Sequence, residues 1–300
     1  MGGEIFVLRP SCAFLAPYAI IAIMKLPCGH DVVDPNQVHY CTYLRLAELL
    51  SLQPAPEALR HPDELLFIIT HQTFELWFKV VLFELDRIME VLRLGQVAQA
   101  TWLVRRITAI IRLFIQQIAI METLSPADFF EFRGALSPAS GSESQGFREI
   151  EVASGLRDPR LLKFLQLPPG PAPDAPQTLL WTERIARRWE APSLRDSFFD
   201  LLRQRDVAVT DLYRPSAQPN PHQDLFWLAE ALLDYDEAFA NWRFVHARMA
   251  ERALGAHISG TGYTSGVPYL DSTVQRPHFF PELWDARSDL WQQRQTATTP

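Results

Sequence analysis

The stretch from Pro62 to Leu94 constrains the fold most. Its centre, LLFIITHQTFELWFKVVLFEL, is apolar on almost every side of a helix. Such a helix belongs in the middle of a bundle, where neighbours cover it. A second long helix is expected over Val97–Leu124, with Arg105, Arg106 and Arg112 interrupting its apolar face, and a third over Asp224–Leu254. Tyr40–Leu50 reads as a short amphipathic helix. Ser125-Pro126-Ala127-Asp128 is a helix start, with a hydroxyl at the cap, proline at the first position and an acid at the third. Phe147–Gly155, Leu179–Trp189 and Ser193–Val209 complete the helical set, and alternating runs that would mark strands are scarce. The expected class is all-α, a helical bundle in a single domain.

At 300 residues the chain is long for one domain and short for two. The Pro-rich runs Leu167–Gln177 and Arg214–His222 flank helices too few to hold a core of their own. Residues 167–222 are therefore read as a helical excursion from a domain spanning 39–290, with 1–38 an N-terminal extension and 291–300 a tail.

Hydrophobic residues make up 48% and charged residues 21%, which excludes disorder, collagen and a polytopic membrane protein. The net charge is −7 and no Lys/Arg cluster supplies the basic footprint that nucleic acid requires. The three cysteines, Cys12, Cys28 and Cys41, all precede residue 42, so no disulfide framework is expected and a reducing cytoplasm is favoured. The apolar run Cys12–Met24 is shorter than the ~20 residues that span a bilayer. It has the character of a secretory signal, but Glu4 and Arg9 lie in its flank and no Ala-x-Ala site follows. A translation start at Met24 accounts for it as well.

Two histidines stand on apolar helix faces. His71 shares its face with Glu64, Phe67, Glu75 and Phe78. An ionisable group there needs a partner such as Glu75, or a cavity. His246 lies on a stripe with Trp242, Met249 and Ala253. A haem iron wants such a neutral imidazole beside a flat apolar wall, although a satisfied core histidine fits the pattern too. Arg133 follows Phe129, Phe130 and Phe132, and a guanidinium amid rings is a fork for a carboxylate, although a surface arginine on a short helix fits the pattern equally well. Gly255, Gly260, Gly262 and Gly266, four of 13 glycines, mark a loop free to change shape, without the strand-turn-helix context of a nucleotide site. His222, His257 and His278 read as surface residues. These features together point to a haem pocket for a small aromatic acid.

The segments HYCTYLRLAELL, HPDELLFIITHQTFELWFK, METLSPADFFEFRGALSPASG, NWRFVHARMAERALG, a GTG-x-x-SG loop and FFPELWDAR follow one another in the order and spacing of the tryptophan 2,3-dioxygenase family. The chain resembles that family over roughly His39 to Arg287. The resemblance implies an all-α bundle around a b-type haem (heme b) with ferrous iron, with O2 as co-substrate. It also implies a cytoplasmic homotetramer, a dimer of dimers, in which a neighbouring subunit completes each active site. The implied reaction adds O2 across the indole C2–C3 bond of L-tryptophan, or a substituted tryptophan, to give an N-formylkynurenine-type product. By resemblance His246 is the iron ligand and His71 accepts the indole N–H. Phe67 packs on the ring, Arg133 pairs with the carboxylate beside Phe129, and Thr261 holds the ammonium and carboxylate. Ser140 and Gly141 lie at the haem edge, and Tyr40, Tyr43 and Leu44 reach in from the adjacent subunit.

The departures are local. Where the family commonly has Ser-Gly-Phe-Gln-Ser-Leu-Gln-Phe-Arg, this chain has Ser140-Gly141-Ser142-Glu143-Ser144-Gln145-Gly146-Phe147-Arg148, so Ser142 replaces a pocket Phe. Tyr263 and Thr264 stand where the family usually has Gly and Ser. Both changes bear on which aromatic amino acid is accepted. The alternatives are a haem monooxygenase acting on an aromatic amino acid, a tryptophan derivative or tyrosine, and a haem sensor. The sensor needs neither His71 nor Arg133.

Overall fold

The computed structural model describes residues 24–25, 29, 31–32, 37–158, 177–213, 219–261 and 265–297. The chain divides into two compact units, Met1–Leu59 and Arg60–Pro300. The first boundary therefore falls after Leu59 and not at 38/39.

In the first unit, β1 (Met24–Lys25) pairs antiparallel with β2 (Asp31–Val32). The amphipathic stretch that follows is two short helices, α1 (Tyr40–Tyr43) and α2 (Leu46–Leu50). Arg45 between them takes a left-handed conformation (φ 52°), which breaks the run. Cys41 is disulfide-bonded, a crosslink that the cysteine count did not anticipate.

The second unit is helical throughout its described residues. Its frame is α3 (Glu64–Arg93), α4 (Val97–Met121) and α9 (Gln223–Leu254). Between them come α5 (Pro126–Arg133), α6 (Gln145–Ser154), α7 (Gln177–Glu190) and α8 (Leu194–Gln204). The chain closes with α10 (Val267–Val274) and α11 (Pro281–Ala297). The last helix therefore runs through most of the segment read as a tail.

The frame follows from spacing. Val97, Ala100, Leu103, Val104, Ile107, Ile111, Phe114 and Ile118 recur every three or four residues and form the buried stripe of α4. Each such aliphatic side chain contributes roughly 1.5–3 kcal/mol by leaving water. Leu225, Leu228, Leu232, Tyr235 and Phe239 do the same on α9. Arg105, Arg106 and Arg112 are all exposed, so they do not interrupt the α4 stripe as expected. Arg106 reaches out to Glu84 of α3 at 2.7 Å.

Two further expectations change. Leu194, Phe198, Leu201 and Leu202 of α8 lie in the main core, so that part of the presumed excursion is built into the bundle. α3 is not covered on every side either. Phe78, Leu82, Leu85, Ile88 and Leu92 enter the core, while Ile69, Leu76, Val80 and Phe83 are 36–63% exposed. By length and composition α3 could also cross a membrane, but one side of it is committed to this core.

Candidate functional site

The site grows out of the contact between α3 and α9. Phe74 and Phe78 meet Trp242 at ring-centroid distances of 6.1 and 6.0 Å. A second cluster joins Phe67 and Met249 with buried Phe132. α3 and α9 therefore run antiparallel, and this brings His71 and His246 to the same level between the two clusters.

The protonation of His71 follows from one hydrogen bond. Its Nδ1 lies 2.7 Å from the Phe67 carbonyl oxygen. A carbonyl only accepts, so Nδ1 carries the proton and the neutral ring keeps Nε2 as a free acceptor. Burial pushes the His71 pKa down, and the bond to Phe67 only partly offsets this. The residue is nevertheless exposed to solvent. Both hold for a group lining a recess, with protein around it and space in front. The expected partner Glu75 is not bonded to His71. Its Oε1 accepts from Ser144 Oγ at 2.6 Å, and burial pushes its carboxyl pKa up.

His246 is held still more firmly neutral. Burial, and then the nearby His71, lower its pKa to about 4. It stacks on Trp242 with centroids 6.0 Å apart and planes 4° from parallel. The Trp242 Nε1–H is buried without a hydrogen-bond partner. Among the described residues no group bonds the His246 ring. A neutral imidazole with one free nitrogen lone pair, an orphaned indole N–H and an apolar wall fit a planar iron cofactor with acidic side arms.

Phe67 lies on His71 at 4.1 Å between centroids, and Phe129 and Phe132 follow at 5.6 and 5.8 Å. α5 starts at the expected Ser125–Pro126, although the Ser125 side chain makes no capping bond. Arg133, at its last turn, is half-buried, and its Nη2 donates to the Ser259 carbonyl at 2.5 Å. Thr261 Oγ1 donates to the Ala139 carbonyl at 2.5 Å. Ser140 and Gly141 open the short turn Gly141–Glu143 before α6, and a side chain at 141 would meet nothing. The structure thus brings His71, His246, Phe67, Phe129, Arg133, Thr261, Ser140 and Gly141 into one compact unit. Tyr40, Tyr43 and Leu44 belong to the other unit, where they are 76%, 75% and 41% exposed. Gly262, Tyr263 and Thr264 lie outside the described residues, as does the Ser142 side chain.

Several supporting residues were not legible in sequence. Buried Glu151 binds Arg148 (3.0 Å), Arg243 (2.8 Å) and Arg276 (2.5 Å), tying α6, α9 and the end of α10 together. Burial raises its carboxyl pKa, but the three guanidiniums outweigh this and hold it below the ordinary value. Arg243 lies one turn before His246, so the network also fixes the rotation of the helix that carries it. Ser144 caps α6 by accepting from the Phe147 N–H while it donates to Glu75. Gly146 permits that approach, since a Cβ there would meet Glu75 Oε2 at 3.0 Å.

The sequence matches known proteins over most of its length. The family model described as tryptophan 2,3-dioxygenase matches residues 25–187 and 207–290, starting earlier than the expected His39. The tryptophan 2,3-dioxygenase of Herpetosiphon aurantiacus is 39% identical over 272 residues, covering 84% of this chain and 98% of the relative. That of a Nocardioides strain is 38% identical, with 85% and 95% covered, and that of an Anaeromyxobacter strain 36%, with 89% and 100% covered. With a family model matched over most of its length and relatives of this identity covered almost end to end, the chain belongs to the tryptophan 2,3-dioxygenase family.

Proposed function

We propose that the protein is a haem-dependent oxygenase that opens the indole ring of L-tryptophan, or a substituted tryptophan, to an N-formylkynurenine-type product. The observation that carries this reading is the pair of imidazoles held neutral by burial, His71 and His246, next to the aromatic cluster that holds Phe67, Phe129 and Phe132, with Arg133 following Phe132 on the same short helix. His246 would hold the iron of a b-type haem, and the cofactor when bound would supply the activation of O2 that side chains cannot. Ser140 and Gly141 would border its edge.

This chain's own residues bind and orient the substrate. His71 Nε2 accepts the indole N–H, which would otherwise lose its hydrogen bond on entering an apolar site. Phe67 and Phe129 supply ring faces for the indole. Arg133 keeps donors free for the carboxylate after giving one to Ser259. Thr261 stands beside the amino-acid end. The rings exclude water from the reacting bond.

The exposed stripe Ile69, Leu76, Val80 and Phe83 supports a homo-oligomer, the expected tetramer, because a monomer rarely leaves such a patch bare. Exposed Tyr40, Tyr43 and Leu44 suit a contribution to a neighbour's site. Phe83→Glu should dissociate the assembly in light scattering. A cytoplasmic location and a free amino acid as the only other partner complete the reading.

The decisive experiment mixes the reduced protein with L-tryptophan without air, adds 18O2, and weighs the product. Two labelled atoms are expected. One labelled atom would move the protein to the monooxygenases, and none would leave a sensor.

A further inference from the structure

The loop after α9 meets its own far end at Gly266. There φ is 72° and ψ −125°, a region that side chains avoid. A Cβ at this position would lie 2.3 Å from the Ile258 carbonyl oxygen and 3.1 Å from the Gly260 nitrogen. Neither neighbour is the movable tip of a side chain. Both are backbone, so the backbone of Ile258–Gly260 lies where it does only because residue 266 has no side chain. Ser259, in the middle of that segment, offers the carbonyl to which Arg133 Nη2 donates at 2.5 Å. The segment's other end is pinned by Thr261 Oγ1 on the Ala139 carbonyl.

We propose that Gly266 is a positioning residue for substrate recognition, acting through the Ser259 carbonyl to hold the Arg133 guanidinium ready for a carboxylate. The inference rests on the oxygenase reading and on Arg133 as the carboxylate partner. Arginine has a long, rotamer-rich side chain, and Arg133 is only half-buried. A carbonyl uses one of its five donors and fixes the plane of the fork, while the remaining donors stay available for two parallel bonds to a carboxylate. The ordering cost of the side chain is then met before substrate arrives, which favours binding. Gly266 has no side chain to offer a ligand and acts through the backbone of Ile258–Gly260, so its replacement should change KM for carboxylate-bearing substrates while haem and kcat stay as they were.

The test compares Gly266→Ala with Gly95→Ala. Gly95 also has positive φ (71°), but a Cβ there meets nothing within 4 Å, so this control carries the backbone strain without the collision. KM and kcat are measured for L-tryptophan and for tryptamine, which lacks the carboxylate, with the haem absorption spectrum and Tm recorded for each variant. Gly266→Ala should raise KM for L-tryptophan about ten-fold, within what one weakened hydrogen bond to a charged group allows. KM for tryptamine, the kcat values and the spectrum should not change. Gly95→Ala should lower Tm and leave both KM values alone. An equal rise for both substrates, or no rise, overturns the proposal. If Gly266→Ala does not fold, Ser137→Ala removes the hydroxyl that donates to the Thr261 carbonyl at 3.4 Å and so loosens the same segment from a residue with no substrate contact, and it is scored by binding of indole-3-propionate, which keeps the carboxylate but has no ammonium. Weakened binding supports the proposal, and weakening confined to L-tryptophan overturns it. Wild-type turnover of L-tryptophan is measured first. Its absence sinks the oxygenase reading and this inference with it, whereas its presence beside an unshifted Gly266→Ala sinks the inference alone.

Discussion

The two sides of the recess are built differently. On the His246 side, Trp242 sits among Phe74, Phe114, Phe147 and Phe239 at 5.4–6.1 Å between rings, on a helix of 32 residues. Beneath it the Glu151 network locks that helix to its neighbours. On the substrate side, Arg133 ends a helix of eight residues, and its surroundings are short turns joined by hydrogen bonds to backbone carbonyls. The first side resists change because every ring is packed against others. The second is held by a few directional contacts near solvent, each worth little alone. A site that keeps a cofactor for its lifetime and exchanges substrate at every turnover has use for both constructions.

That contrast can be broken, most severely from the packed side. His246→Ala should lose haem and essentially all activity, since no other histidine lies on that face of α9. A variant that keeps full haem absorbance and turnover would remove His246 from the ligand role. Trp242→Ala should lower unfolding free energy by about 3–5 kcal/mol, the usual result of deleting a large buried ring. Phe129→Ala, on the open side, should have a clearly smaller effect, and equal denaturation midpoints for the two would erase the proposed difference in construction.

Arg133→Ala should reduce kcat/KM for L-tryptophan by about 10- to 150-fold, the equivalent of losing a charge-assisted bond of roughly 1.5–3 kcal/mol. The rate with tryptamine should hardly change, and neither should Tm. Equal slowing of both substrates would make Arg133 a support of the fold.

The smallest effect is expected at the seam between the sides. Burial raises the pKa of Glu75 above its ordinary value of 4.5, and the bond from Ser144 only partly opposes this. The folded protein therefore holds the Glu75 proton more tightly than the unfolded chain does. That contribution to stability is complete below pH 4.5 and is lost as pH rises through the folded pKa. Glu75→Gln keeps a side chain that can bond Ser144 but does not titrate. Melting curves from pH 4 upward should show the variant gaining on wild type as pH rises, by about 1 kcal/mol or less for a partly open carboxyl. A constant gap would show that Glu75 titrates normally.

Much of this protein was legible in the chain itself. Helical period placed α3, α4 and α9 within a few residues, because burial of an apolar stripe depends only on local spacing and on a partner being present. The same spacing put His71 and His246 on apolar faces, and the aromatic run before Arg133 singled that residue out as a fork for a carboxylate. What the pattern could not give was the direction of each face. The apolar circumference of α3 is divided between a core and an exposed stripe, and α8 reaches the core from a stretch bounded by prolines. The partner of His71 proved to be the Phe67 carbonyl one turn away and not Glu75, since Glu75 is drawn off by Ser144, 69 residues further along the chain. Glu151 with Arg243 and Arg276, and Gly266 against Ile258, are likewise contacts between segments distant in sequence or folded back by a loop. Sequence periodicity determines which residues seek burial. Which of them meet, and so which side chains are neutral, oriented or held ready for a ligand, is decided only when the helices pack, because hydrogen bonds and desolvation act over a few ångströms of space.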